Sequence, residues 1–139
     1  MTKYVSETGR RDGATRTRFL DAEALAAPGF DAQPAIVQAY VPAVAEYRVY
    51  VMDDDVLPVR IATPDRARDP DMRYRAFTND DFSVADGLAE HAPMLRRYAR
   101  ELGLRYAVFD ALPAGKELLV TEVNTNGTWF QWPAPIRSS

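Results

Sequence analysis

The chain has no cysteine among its 139 residues. Disulfide staples and thiolate metal sites are therefore excluded. Its one histidine, His91, rules out a multi-histidine zinc centre and leaves little room for a Ser-His-Asp triad. His91 reads as a surface residue ahead of a helix. No apolar run approaches the roughly 20 residues of a membrane span. The opening MTKYVSETGRRDG has no apolar signal core. There is no long basic run and the formal net charge is -3, so no nucleic-acid footprint is visible. No internal repeat or linker interrupts the chain. These absences point to a soluble cytoplasmic protein with no nucleic-acid or membrane partner. Any metal in it would be bound by oxygen, which suits magnesium or manganese.

Apolar residues make up 47% of the chain, enough for one domain with one core. MTKYVSE and TRTRFL, joined by a turn with Gly9 and Gly13, predict a hairpin over residues 1–20. DAEALAA predicts a short helix with Asp21 as N-cap and Glu23 in its first turn. AIVQAYV and EYRVYVM are β runs, and Pro42 between them marks a connection. The acidic triplet at 53–55 is a tight turn before the strand VLPVRI. A charged loop from Thr63 to Asp71 follows, and then RYRAFT as a further strand. Asp80 and Asp81 precede a helix over about residues 84–102. Leu95, Tyr98, Ala99 and Leu102 fall on one face of it, Pro93 fits only its first turn, and Gly103 stops it. LRYAVFDAL, a PAGK turn and ELLVTEVN form a last hairpin, and WPAPIRSS is a tail. Strands first, then a helix, then a hairpin predict an α+β domain built on an antiparallel sheet with one main helix.

The last hairpin carries the chemistry. Side chains alternate across a strand, so Glu122 and Asn124 are expected to share a face with Leu118 and Val120. On the preceding strand Tyr106, Val108 and Asp110 share a face. If Asp110 and Glu122 face one cleft, Asp110, Glu122 and Asn124 offer three oxygen donors. Such a set suits a hard divalent cation whose other ligands are phosphate oxygens. Two neighbouring carboxylates also call for a counter-charge.

The stretch GLRYAVFD, a short turn and LLVTEVNTNGTWFQW resembles the last hairpin of ATP-grasp ligases. It is most similar to the microviridin-type (graspetide) branch, which modifies peptides and follows roughly GLxYGxxD, a turn and FLEVNPNGQWxW. Ala107 stands where that pattern has glycine and Thr125 where it has proline; neither change removes a metal ligand. The resemblance implies that Asp110, Glu122 and Asn124 hold magnesium on the phosphates of ATP. Trp129, Phe130 and Trp132 serve either as core packing or, as the resemblance implies, to close the cleft.

Upstream, AIVQAYVPAVAEYRVYVMDDDVLPVRI is similar to the family's hinge segment. The resemblance implies that Gln38, Ala39, Tyr40 and Val41 line the adenine edge. Ala39 replaces a usual glutamate, which leaves backbone hydrogen bonds to do that work. It also implies Glu46 near the ribose hydroxyls and Arg48 facing the phosphates or an acyl-phosphate, a role its fixed charged fork suits. Arg75 in MRYRAF matches the arginine that stabilises the transferring phosphoryl group, with Tyr74 in place of a tryptophan. Arg73 competes for that role. Lys3 matches the lid lysine that reaches the nucleotide phosphates.

The implied architecture is a truncated ATP-grasp fold: part of the lid over residues 1–37 and the C-terminal lobe over 38–139, without the N-terminal domain. The implied function is that of a Mg-ATP-binding lobe of a carboxylate-amine or carboxylate-hydroxyl ligase acting through an acyl-phosphate on a peptide or amino-acid-like substrate. The alternative is a catalytically inactive module that binds a peptide or partner protein. The chain is then a natural short protein, an excised fragment or one piece of a split enzyme, with a companion chain or a second copy as a candidate source of the missing half.

Overall fold

The computed structural model describes residues 4–9, 15–28, 36–64 and 76–127. The chain divides into two compact units, Met1–Pro42 with Asp65–Ala76, and Ala43–Pro64 with Phe77–Ser139.

In the first unit, β1 (Tyr4–Gly9) and β2 (Thr15–Leu20) form the expected hairpin, with Tyr4 opposite Leu20 and Gly9 opposite Thr15. β3 (Ile36–Ala39) pairs antiparallel with the other side of β1, giving the order β2-β1-β3. Between them α1 (Ala22–Ala26) starts where Asp21 accepts the Ala24 N–H at 2.8 Å. That bond satisfies one of the four donors a helix start leaves open.

The second unit is a five-stranded antiparallel sheet in the order β6-β5-β4-β7-β8. Its strands are β4 (Ala45–Met52), β5 (Asp55–Ala62), β6 (Phe82–Val84), β7 (Tyr106–Ala114) and β8 (Glu117–Asn124). α2 (Ala92–Glu101) links β6 to β7 and supplies Leu95 and Ala99 to the core. These pack with Leu88, Val49, Val51, Ala107 and Phe109, all buried. A second cluster of Tyr50, Val59 and Val108, with Leu57, Ile61, Phe82 and Tyr106 against it, lies on the opposite face of the sheet. β4 and β7 are therefore apolar on both faces, which is why their sequences read as nearly continuous β runs rather than as alternation.

The expected helix over 84–102 is shorter. Val84 instead pairs with Val59 as the edge of the sheet, Asp86–Leu88 form a single 3-10 turn, and the α-helix begins at Ala92. Pro93 explains the start: it has no N–H to give and is tolerated only in a first turn. The helix face is also narrower than expected, since Leu95 and Ala99 are buried while Tyr98 and Leu102 are exposed. Gly103 ends the helix in the left-handed region at φ +70. Its N–H donates to Arg100 O and the Leu104 N–H to Ala99 O, both at 2.9 Å, which is a Schellman closure. Of RYRAFT only Ala76, Phe77 and Thr78 are described, and they lie in no strand.

Both tight hairpin turns carry a positive φ at their first central residue, Asp53 at 51 and Gly115 at 65. Glycine takes that conformation freely. Asp53 takes it with support: its N–H donates to Arg105 O at 2.8 Å and its carboxylate accepts two further bonds from the Arg105 side chain, both at 2.8 Å.

Candidate functional site

Arg48, Asp110 and Glu122 form one row across three strands. Arg48 on β4 is opposite Asp110 on β7, and Asp110 is opposite Glu122 on β8. Directly paired residues have Cβ atoms only about 5 Å apart. Arg48 meets Asp110 fork to fork: Nε donates to Oδ1 at 2.7 Å and an Nη to Oδ2 at 2.9 Å. The pair is neither dry nor fully solvated, with side-chain exposures of 34% and 21%. The Asp110 carboxylate holds the Arg48 guanidinium above its ordinary pKa, against the opposing effect of burial, and Glu122 adds a smaller push in the same direction. The counter-charge that two neighbouring carboxylates call for is thus Arg48.

Asn124 is opposite Val108, one alternation along from the row, so Asp110, Glu122 and Asn124 stand on one face. That face is the one opposite α2.

One expectation fails here. Glu122 and Asn124 do not share a face with Leu118 and Val120. Asp110 pairs with Glu122 but Ala111 pairs with Val120, so Thr121 is an extra residue on β8. A bulge of this kind shifts every later side chain to the other face. Leu118 and Val120 pack against the helix-side core, and after the bulge so does Val123, which puts Glu122 and Asn124 on the far side. The Thr121 hydroxyl donates to Asp110 O at 3.0 Å and ties the bulge to the strand that carries the first carboxylate. The sequence does hold the signal: apolar spacing of two from Leu118 to Val120 becomes three from Val120 to Val123.

Past Asn124 the chain turns and returns over the same face. The Tyr106 hydroxyl donates to Gly127 O at 2.5 Å. A Cβ on Gly127 would sit 2.3 Å from Val108 Cγ2 and 2.7 Å from its Cβ. Only a residue without a side chain lets the backbone rest there. Burial pushes the Tyr106 phenol pKa up, with the nearby Arg48 charge pulling the other way.

Other expected site residues are spread through the chain. Glu46 lies on β4 opposite Ile61, two residues before Arg48 and therefore on its face. Gln38 and Ala39 belong to β3 and are exposed; Tyr40 and Val41 follow and are half-buried, and Tyr40 stacks edge-on against Phe19 with ring centres 4.9 Å apart. These four residues belong to the first unit, while Glu46, Arg48 and the oxygen donors belong to the second. Lys3, Arg73, Arg75, Trp129, Phe130 and Trp132 lie outside the described residues.

The donor set fits a metal that is only partly held by protein. Among the described residues no three His, Cys, Asp or Glu side chains converge as a metal cage. A third oxygen on this face could come from the amide of Asn124. Asp110 already accepts from Arg48 on both oxygens, but each carboxylate oxygen keeps a second lone pair. Two carboxylates and an amide leave about half of an octahedral shell to phosphate oxygens and water, the usual arrangement for magnesium on a nucleotide.

No family model and no curated protein matches the sequence. Solved structures do match. PsnB, an ATP-grasp ligase solved with a phosphomimetic variant of a minimal precursor, Mg and ADP, is 26% identical with a TM-score of 0.67, over 91% of this chain and 39% of its own. MdnC, a macrocyclase bound to the precursor peptide MdnA, from Microcystis aeruginosa MRC, is 20% identical with a TM-score of 0.69, over 93% of this chain and 42% of its own. A Chryseobacterium gregarium RiPP-associated ATP-grasp ligase in complex with ADP and a leader and core peptide is 17% identical with a TM-score of 0.69, over 92% and 42%. The fold is that of the ATP-grasp ligases. Within that class, the structures it resembles are peptide-modifying ligases, and the chain spans about two-fifths of their length.

Proposed function

We propose that the chain is the Mg-ATP-binding lobe of an ATP-grasp ligase that joins a carboxylate to an amine or hydroxyl, with a peptide as substrate. The observation that carries this is the row Arg48–Asp110–Glu122, with Asn124 beside it, on one face of a sheet with the ATP-grasp fold. Asp110, Glu122 and Asn124 would hold magnesium (manganese is an alternative) against the nucleotide phosphates. When bound, the metal would offset charge on the phosphate oxygens. Arg48, oriented by its fork on Asp110, would face the transferring phosphoryl group, and Arg75 would assist. Gln38, Ala39, Tyr40 and Val41 would bind adenine through their backbone, Glu46 the ribose and Lys3 the phosphates.

The reaction balances in two steps. A substrate carboxylate oxygen takes the γ-phosphoryl group of ATP and ADP leaves. The amine or hydroxyl then attacks the carbonyl carbon of that acyl-phosphate, loses its proton to solvent or base, and expels inorganic phosphate as the amide or ester forms. Charge neutralisation and positioning by fixed groups supply most of the catalysis in phosphoryl transfer. Because the chain spans about two-fifths of the solved ligases, the activity belongs to the completed cleft, whether further sequence, a companion chain or a second copy completes it.

Calorimetric titration of Mg-ATP into the wild type and into the Asp110→Ala, Glu122→Ala double variant tests this. Binding by the wild type and its loss in the double variant support the reading. Equal binding by both sinks the metal assignment, and no binding by either at millimolar nucleotide counts against the nucleotide site. Peptide binding that is independent of nucleotide and unchanged by Glu122→Ala would favour a catalytically inactive peptide-binding module instead.

A further inference from the structure

β8 ends at Asn124, whose strand partner is Val108. Tyr106 lies two residues from Val108 on the same face, beyond the end of the β7–β8 ladder. Were β8 to continue straight, Asn126 would lie opposite Tyr106. Instead the chain turns at Thr125–Asn126 and Gly127 comes back onto Val108, where its carbonyl accepts the Tyr106 hydroxyl at 2.5 Å. Asn124 is therefore held from both sides: through the ladder before it, and through Gly127, three residues after it. The last residue of an edge strand otherwise frays readily, because few contacts oppose its opening.

We propose that Tyr106 is a positioning residue: its hydroxyl latches the Thr125–Gly127 turn onto Val108 and so fixes Asn124 beside Glu122 as an oxygen donor to a nucleotide-bound divalent cation. The cation part rests on the function proposed above; the latch itself does not. Tyr106 touches neither nucleotide nor metal in this role. It acts as outer partners of metal ligands do, by limiting the orientations a ligand can take; loss of such a partner typically weakens metal affinity 10- to 100-fold. The phenol is partly buried and packs against the cluster of Tyr50, Val59 and Val108, so the ring stays in place when only its oxygen is removed.

The test uses the full chain and compares wild type, Tyr106→Phe and Glu122→Ala. The first readout needs no metal: the Asn124 side-chain amide signals in 15N-edited NMR. The latch predicts dispersed, protected signals in the wild type and averaged signals in Tyr106→Phe; unchanged Asn124 signals in Tyr106→Phe overturn the latch. The second readout is Mn2+ binding in the presence of ADP, followed by electron paramagnetic resonance. A weakening of about 10-fold in Tyr106→Phe, with ADP binding in the absence of metal unchanged, is the expected result. Wild-type affinity in Tyr106→Phe overturns the proposal, and wild-type affinity in Glu122→Ala as well overturns the cation role of the site with it. If the wild type itself binds no Mn2+ with ADP, the cation role of the site is overturned, and the NMR readout still decides the latch.

Discussion

Gly127→Ala tests the close approach that shapes the far end of the site. The added Cβ would lie 2.3 Å from Val108 Cγ2, 2.7 Å from its Cβ and 3.2 Å from Cγ1. Ordinary carbon contacts lie near 3.5–4.0 Å, so a shift of roughly 1 Å is needed. Val108 cannot provide it cheaply, being fully buried and stiff at χ1. Overpacking of this kind costs about 1–3 kcal/mol. Reduced entropy of the unfolded chain returns about 0.4–1 kcal/mol. The expected net loss is roughly 1–2 kcal/mol. Val108→Ala alone removes two buried methyl groups and should cost about 1–3 kcal/mol. In that background two of the three contacts are gone, so Gly127→Ala should cost about 1 kcal/mol less than in the wild type, a coupling within the usual range for touching residues. Urea unfolding followed by far-UV circular dichroism on the four proteins gives the cycle, and a net loss of that size moves the midpoint by roughly 0.5–1 M. Additive effects within about 0.5 kcal/mol would mean that the two positions do not touch, and would refute the placement of the turn over Val108.

Two further predictions concern the bulge and the hairpin tip. Deleting Thr121 removes the extra residue of β8 and would leave Val120, Glu122 and Val123 in a regular ladder opposite Ala111, Asp110 and Phe109. The expected result is that Glu122 keeps its face and Mg-ATP binding survives, read by calorimetry; loss of binding in a protein that still melts cooperatively would mean that the bulge itself shapes the site. Asp53 is exposed, and the hydrogen bonds from Arg105 hold its carboxyl below the usual pKa of about 3.9. The folded state therefore binds that proton more weakly than the unfolded chain, so the contribution of the pair is present above about pH 4 and is lost as pH falls through the depressed native value. Asp53→Asn should flatten that part of the stability–pH curve while leaving the curve above pH 5 parallel to the wild type.

Much of this organisation was legible in local chemistry. Asp21 capped a helix, Gly103 stopped one and Gly115 turned a hairpin because each satisfies a backbone requirement that a few neighbouring residues reveal. That Asp110 and Glu122 lie on neighbouring strands near one end of the sheet followed from a short turn; their direct pairing did not, because the register leaving the turn would set Thr121 opposite Asp110. What strict alternation missed was long-range or two-sided. The bulge at Thr121 changes the phase of β8, and its trace is only the altered spacing of Leu118, Val120 and Val123. β6 went unseen because three residues pairing at a sheet edge leave no periodic pattern, and their neighbourhood read as the start of a helix. The partner of Arg48 is 62 positions away, a separation over which residue patterns carry no contact information. The link from Tyr106 to Gly127 joins a phenol to a backbone oxygen, and any residue supplies that acceptor.

The proposed role of Asp110, Glu122 and Asn124 is to hold a divalent cation on nucleotide phosphates. A crystal structure of the chain soaked with Mg2+ and a non-hydrolysable ATP analogue tests it most directly. The expected result is magnesium with oxygens of these three side chains at about 2.0–2.1 Å and phosphate oxygens completing the octahedron, with Arg48 still forked on Asp110. A nucleotide bound elsewhere, or a magnesium ion whose protein ligands include none of the three, would contradict it.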